Sequence, residues 1–263
     1  MDDESQNKKI RPDPGIFFTK GMKVGIPSFS ISIGEDGKLS SDGITLHTGL
    51  DMCSYWLEIA YEHLLKTESA HNELMSAIDE TDDEKIARSL QKEFVSGMQA
   101  IMSSGIAIDS YYASVKEHID IPESLIRTWR DKRTARYKQI AEVFRRAFSM
   151  KQDSVNNLRD VLKQNLKFRD RAVHPEYGTT APSLHVELNK VTDWRYATFR
   201  FYNAKAIVGL SLSVIYQTAS RPFDNKYKKL KKYCNDLIDE LEPMLKRWVD
   251  KYGELFGQTL LTK

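Results

Sequence analysis

The feature of this sequence that most limits its fold is a helical spacing of apolar residues that continues, with short breaks, from residue 48 to residue 256. At the start of this region, apolar residues recur at steps of three and four, which places them on one face of a helix. These residues are Leu50, Cys53, Leu57, Ala60 and Leu64. The same periodicity predicts helices over 48–77, 82–118, 122–148, 151–173, 191–218 and 223–256. Long helices joined by short connections favour an antiparallel bundle, so we expect an all-α fold of about five to six long helices.

The N-terminal residues have a different pattern. Residues 1 to 20 are polar and contain two prolines, which predicts a loose arm. Residues 28–33 alternate polar and apolar side chains, residues 34–37 supply turn residues, and a second short run ends at Leu46. This arrangement is typical of a β-hairpin. We therefore divide the chain into an N-terminal arm with a small β-hairpin over 1–45 and a helical domain over 46–263.

Composition argues against several classes of protein. The net charge of 263 residues is only +2, which argues against a strongly cationic nucleic-acid coat protein. Cys53 and Cys234 are far apart and form no CxxC pair, so we expect neither a zinc site nor disulfide bonds, and a reducing cytoplasm fits best. The longest apolar run, over 204–216, is interrupted and too short to cross a bilayer. We expect a cytoplasmic protein that does not span a membrane and that binds no metal and no cofactor.

The stretch with the most direct chemical meaning is residues 169–174, Arg-Asp-Arg-Ala-Val-His. It places Arg169, Asp170 and His174 at the expected end of a helix, because Pro175 and Gly178 follow. Arginine is a permanent cation that fits phosphate, and the ordinary pKa of histidine suits proton transfer near neutral pH. Asp170 and His174 are four residues apart and share a helical face, so the carboxylate is placed to orient the imidazole.

These residue types suit cleavage of RNA without a metal ion. Attack by the 2′-hydroxyl needs a base for its proton, an acid for the leaving oxygen and positive charge beside the phosphorane. His174 suits the first or the second role and Arg169 the third, and the route is limited to RNA because DNA lacks the 2′-hydroxyl. The alternative is that the arginines only complement the dipole of the helix end. In that case the chain is a non-catalytic helical binding or scaffold protein.

A second candidate region is the segment from 127 to 151, where cations outnumber carboxylates most strongly. Trp129 and Tyr137 lie among these cations, as stacking residues do along a path for single-stranded RNA. We predict that four residues bind nucleic acid: Arg130, Arg133, Arg136 and Tyr137. The alternative is a solvated helix face that binds nothing.

Three further features are interpreted structurally. His185, in the loop after residues 169–174, is expected to be exposed. The lysines between Lys226 and Lys232 are expected to form an exposed helix face. Gly105 is expected to mark either a kink in its helix or a close crossing with another helix.

Residues 169–174, set in a domain of long helices, resemble the HEPN superfamily (higher eukaryotes and prokaryotes nucleotide-binding domain). The signature of that family is an arginine and a histidine with four to six residues between them, of which the first is polar; here four residues separate Arg169 from His174, and the first of them is Asp170. Pro175 and a later helix with Arg200 and Asn203 also resemble members of the family. The resemblance covers about residues 46–218, whereas the N-terminal hairpin and the helix predicted over 122–148 depart from it.

The resemblance implies a function and a set of roles. Arg169 and His174 would be the catalytic residues of a metal-independent endoribonuclease, and Asp170 would support them. Such proteins act in toxin–antitoxin, phage-defence or RNA-processing systems, and their sites form where two copies of the motif face each other, which implies a homodimer. Some members are catalytically silent, so a scaffold, or an antitoxin-type partner of another protein, stays open as the alternative.

Overall fold

The computed structural model describes residues 17–19, 22–26, 30–41, 46–173, 181–221 and 227–255. The chain separates into two compact units, Met1–Asp51 and Met52–Lys263. The first unit includes a strand over 47–50 and therefore extends past the boundary that we drew after residue 45.

The first unit contains two antiparallel pairs of strands. Its strands are β1 (Met22–Gly25), β2 (Ile31–Ile33), β3 (Leu39–Ser41) and β4 (His47–Leu50). β1 pairs antiparallel with β4 and β2 pairs antiparallel with β3. β2 and β3, which flank the turn at residues 34–37, confirm the predicted hairpin. β1 and β4 form a separate two-stranded sheet.

The second unit is helical. Within the described residues it holds eight helices, namely α1 (Cys53–Asp79), α2 (Asp83–Glu117), α3 (Glu123–Asp131), α4 (Arg136–Ala147), α5 (Gln152–Val173), α6 (Trp194–Thr198), α7 (Phe201–Ala219) and α8 (Lys228–Tyr252). One further antiparallel pair of strands, β5 (Ser183–His185) and β6 (Lys190–Thr192), lies between α5 and α6. The predicted all-α bundle with a small hairpin is confirmed. None of the helices in the described part is long and apolar enough to cross a membrane.

The core forms where the apolar faces of the long helices meet. Leu57 and Leu64 of α1 and Ile101 and Ile108 of α2 are almost fully buried, as the three- and four-residue spacing predicts. α1 packs along α2, and α2 also contacts α4, α5, α6 and α7. α2 is thus the central helix of the unit.

The helices predicted over 122–148 and over 191–218 are each divided, so these two predictions were wrong. The helix expected over 122–148 ends at Asp131 and restarts at Arg136, and between them Arg133 has a φ of +46°. That left-handed backbone cannot continue a right-handed helix. The helix expected over 191–218 begins as β6 and then forms α6 and α7. The carboxylate of Asp193 accepts a hydrogen bond from the backbone N–H of Arg195 and so starts α6 as a separate helix.

Two glycines of α2 allow other segments to approach its backbone closely. A Cβ atom built at Gly97 would lie 1.9 Å from the carbonyl oxygen of Phe199, at the junction of α6 and α7. A Cβ atom built at Gly105 would lie 2.9 Å from Cβ of Arg169 on α5. Gly105 therefore marks a close helix crossing, one of its two expected roles, and α2 continues as one helix through it.

We expect Gly97→Ala to destabilise the protein. The added methyl group would overlap a backbone oxygen, which cannot rotate away, so α2 and the α6–α7 junction must separate. We expect a loss of about 2 kcal/mol, after the gain of about 1 kcal/mol that alanine brings to a helix. Urea unfolding measures the change, and Gln91→Ala, an exposed site on the same helix, is the control. Unfolding midpoints of Gly97→Ala at or above that of the wild type would contradict the expectation.

Candidate functional site: a cationic cleft between α4 and α5

The C-terminal half of α5 and the start of α4 border a cleft of about 500 Å³. Its polar and aromatic lining comes from Arg136 and Tyr137 on α4 and from Lys163, Lys167, Arg169, Asp170 and Arg171 on α5. Five of these seven side chains are cationic and one is a carboxylate. We call this feature the cationic cleft. Its volume lies in the range of pockets that hold a small organic ligand.

Arg169 lies between two carboxylates at this cleft. Its Nε and Nη2 atoms donate hydrogen bonds to Oδ1 of Asp170, at 3.0 and 2.7 Å, and its Nη1 atom donates to Asp109 of α2. Burial disfavours the charge, but the hydrogen bonds of Asp170 and the negative charge of Asp109 outweigh it, so the pKa of Arg169 is raised. The Arg169 side chain is 22% exposed. The guanidinium is therefore held in one orientation and still borders the cleft.

Asp109 joins the two candidate regions. One of its oxygens accepts a hydrogen bond from Nε of Arg136 at 2.8 Å, and the other accepts from Arg169. The guanidinium carbon of Arg136 also lies 4.2 Å from the centre of the Tyr112 ring, a cation–π distance. A residue predicted to bind nucleic acid and a residue predicted to be catalytic thus share one carboxylate. Asp109 lies inside α2, in no recognisable motif, and sequence reasoning missed it.

The other residues of the predicted catalytic set are placed only in part. His174 lies outside the described residues, as do Pro175 and Gly178. That Asp170 orients His174 stays a prediction; its carboxylate contacts the neighbouring Arg169.

The four residues predicted to bind nucleic acid are not all together. Arg136 and Tyr137 line the cationic cleft, whereas Arg130 and Arg133 are exposed near the end of α3 and are not among its lining residues. The stacking role expected for Trp129 is wrong, because its side chain is 9% exposed and packs in the core. α3 is amphipathic, and the indole occupies its buried face while its cations face solvent.

A second polar cluster is buried at the start of α7. Nδ1 of His71 lies 2.9 Å from Oε1 of Glu93, which also accepts the backbone N–H of Phe201 at 2.8 Å. Nearby, Nδ1 of His185 lies 3.3 Å from a carboxylate oxygen of Glu187. The other oxygen of Glu187 accepts a hydrogen bond from Arg200 at 2.5 Å. The Glu187–Arg200 contact attaches the turn after β5 to the start of α7, and the Glu93–Phe201 contact attaches α2 to the same place.

The expectation that His185 is exposed is wrong, since its side chain is fully buried. Burial lowers the pKa of His185, and the negative charges of Glu187 and Glu93 do not compensate for it. The imidazole is thus neutral in the folded protein near neutral pH. No local pattern indicates that His185 is buried, because the charged groups around it come from separate elements of the fold.

One other expectation is met in the described residues. Lys228, Lys229, Lys231 and Lys232 are exposed on α8; Lys226 lies outside those residues. Cys53 and Cys234 are buried and unpaired. Among the described residues, no three side chains of histidine, cysteine, aspartate or glutamate converge as metal ligands.

Comparison with known proteins yields no relative. No protein-family model, no curated protein and no solved structure matches this chain. The function therefore has to be argued from the site itself.

We expect acid to weaken the protein partly through His185. Its pKa is lower in the folded than in the unfolded chain, so below pH 6.5 or so the unfolded chain binds a proton that the folded chain does not. Stability therefore falls as the pH decreases through this range. Replacement by glutamine, which does not titrate, should make the free energy of unfolding decrease less between about pH 7.5 and about pH 5.5.

Urea unfolding at both pH values measures this difference. The control is His47→Gln, a replacement at an exposed position of β4, which should leave the pH dependence unchanged. The same slope for His185→Gln and the wild type would show that the buried imidazole is not the group responsible.

Proposed function

We propose that this chain is a HEPN-like RNA-binding protein and a metal-independent endoribonuclease that acts through Arg169 and His174. The observation that carries the proposal is the composition of the cationic cleft, where Arg169 and Asp170 of the motif meet Arg136 and Tyr137 of the second candidate region. The two regions were identified separately in the sequence, for catalysis and for binding of RNA.

The chemistry of the cleft suits a phosphodiester. Planar guanidinium groups fit phosphate oxygens, and an arginine held by carboxylates is preorganised to stabilise the charge of a phosphorane. Tyr137 offers a ring on which a base can stack. In the proposed reaction His174 takes the proton of the 2′-hydroxyl or gives one to the leaving oxygen, and Arg169 stabilises the pentavalent phosphorus centre between these steps.

The alternative is a non-catalytic helical binding or scaffold protein, which includes an antitoxin-type partner. One observation favours it: Asp170 and Asp109 bind all three nitrogen atoms of the Arg169 guanidinium. An arginine paired in this way also stabilises a helix crossing without any ligand. Cleavage assays distinguish the two functions, because only the nuclease requires His174.

The setting of the proposed nuclease is a reducing cytoplasm, as part of a toxin–antitoxin or phage-defence system. We propose that it acts as a homodimer in which two copies of the motif face each other. Light scattering combined with size exclusion tests this, since a protein that is monomeric at every concentration could not form a paired site.

We expect the wild type to cleave mixed single-stranded RNA in the presence of EDTA, and both Arg169→Ala and His174→Ala to lose at least about 100-fold in rate. The first variant removes the charge beside the phosphorane and the second removes the proton carrier. Gel analysis of labelled RNA measures the rates.

The control for this experiment is Arg88→Ala, which removes an exposed arginine paired with Glu84 on α2 and should cleave like the wild type. Circular dichroism shows whether each variant is folded. Equal products from all proteins, or none from any, would support the scaffold instead.

We expect Arg136→Glu to weaken binding of single-stranded RNA more than Arg133→Glu does. Arg136 lines the cleft and contacts Asp109, whereas Arg133 is exposed outside it. Each phosphate contact that is lost should lower the slope of log affinity against log salt by about 0.7. Fluorescence anisotropy over a salt series measures both quantities. Arg136→Glu also places a carboxylate beside Asp109, so Arg136→Gln serves as a second variant. It should also bind RNA more weakly than the wild type, with a smaller loss of affinity. Wild-type affinity in both variants would contradict the role of Arg136.

A further inference from the structure

We propose that the cationic cleft continues along α5 as a track for the phosphates of a single-stranded nucleic acid. The track consists of Arg159, Lys163, Lys167 and Arg171. The inference rests on the proposed function and adds binding residues, together with the course of the strand. Arg159, Lys163 and Lys167 lie outside the stretch 169–174, and none of the four was predicted as a site residue.

The spacing of these cations is regular. They are four residues apart, so each step covers about 6 Å along the helix axis and the whole row about 18 Å. A step of this size is close to the separation of neighbouring phosphates along an extended strand. Lys163, Lys167 and Arg171 line the cleft, and Arg159 continues the row toward the start of α5.

The members of the row lack carboxylate partners in the described part of the chain. Several exposed arginines on other helices are paired, as Arg88 is with Glu84, Arg127 with Glu123 and Arg247 with Glu58. Among the described residues, no carboxylate lies within ion-pair distance of any member of the row. Like charges four residues apart repel one another on a helix, and a chain of phosphates placed along the row would remove this repulsion. The Nε atom of Arg159 is also buried without a hydrogen-bond partner.

The surroundings of the row favour a single strand over a duplex. Tyr137 lines the cleft opposite α5, and the guanidinium of Arg171 lies 5.3 Å from the ring centre of Trp194. Unpaired bases stack on such rings, whereas the bases of a duplex already stack on one another. A cleft of about 500 Å³ has room for a nucleotide but not for the width of a double helix.

The test compares a short RNA of about four nucleotides with a long one of about sixteen. Arg159 lies outside the cleft, so Arg159→Gln should leave binding of the short RNA unchanged and weaken the long RNA about fivefold at about 0.1 M salt, the effect of one lost phosphate contact. The double variant Lys163→Gln/Lys167→Gln should weaken the long RNA about 25-fold under the same conditions. Fluorescence anisotropy measures the affinities, and single-stranded DNA of the same sequence should lose as much as RNA because the row contacts phosphates.

The matched control is Lys229→Gln, which removes one exposed charge from α8 and should bind both RNAs like the wild type. Glutamine keeps most of the side-chain stem of Arg159, and circular dichroism confirms that each variant is folded.

If the wild type binds neither RNA, the proposed function fails. If Arg169→Ala abolishes binding while Arg159→Gln and Lys163→Gln/Lys167→Gln bind the long RNA like the wild type, only the track is overturned. The track would also be overturned if the variants lost affinity for RNA without an equal loss for single-stranded DNA. The same holds if they lost affinity only for a duplex of the same length.

Discussion

The close packing of α2 against its neighbours determines where both polar clusters of this protein lie. Gly97 admits the carbonyl group of Phe199, and Gly105 admits the side-chain stem of Arg169. Four residues before Gly97 and four residues after Gly105, α2 carries Glu93 and Asp109, which bind the start of α7 and the guanidinium groups of the cleft. A change in the distance of α2 from α5 or from α7 would therefore alter a polar site as well as the apolar core.

The sequence predicted the parts of this fold that follow from local periodicity. α1, α2, α5 and α8 occur where apolar residues repeat at helical spacing, because burial of one face is what stabilises a helix in a protein. The same rule could not find the break at Arg133, where a single left-handed residue with no glycine or proline nearby ends one helix. It also could not tell that Trp129 lies on the buried side of α3, since the cations around it gave the segment the composition of a binding surface.

Part of the lining of the candidate site was predictable from the sequence, and its supporting residues were not. Arg169, Arg136 and Tyr137 were named from residue type and spacing, and all three line the cleft. Asp109 and the partners of His185 lie in elements distant along the chain, so their roles depend on tertiary contacts that no local pattern encodes. Buried polar groups are stabilised by such partners and are costly without them, so the second cluster depends on elements that only the folded chain brings together.

Asp109 also sets a condition on the anion that the proposed function places in the cleft. Its side chain is only 22% exposed, so an anion that displaced it from Arg136 and Arg169 would leave a partly desolvated carboxylate without its guanidinium partners, which is unfavourable. A ligand that keeps both ion pairs has to use donor positions that Asp109 and Asp170 leave open. A group with several acceptor oxygens has more ways to reach such positions than a small monovalent ion, so in the proposed function the arrangement of acceptor atoms matters as well as charge.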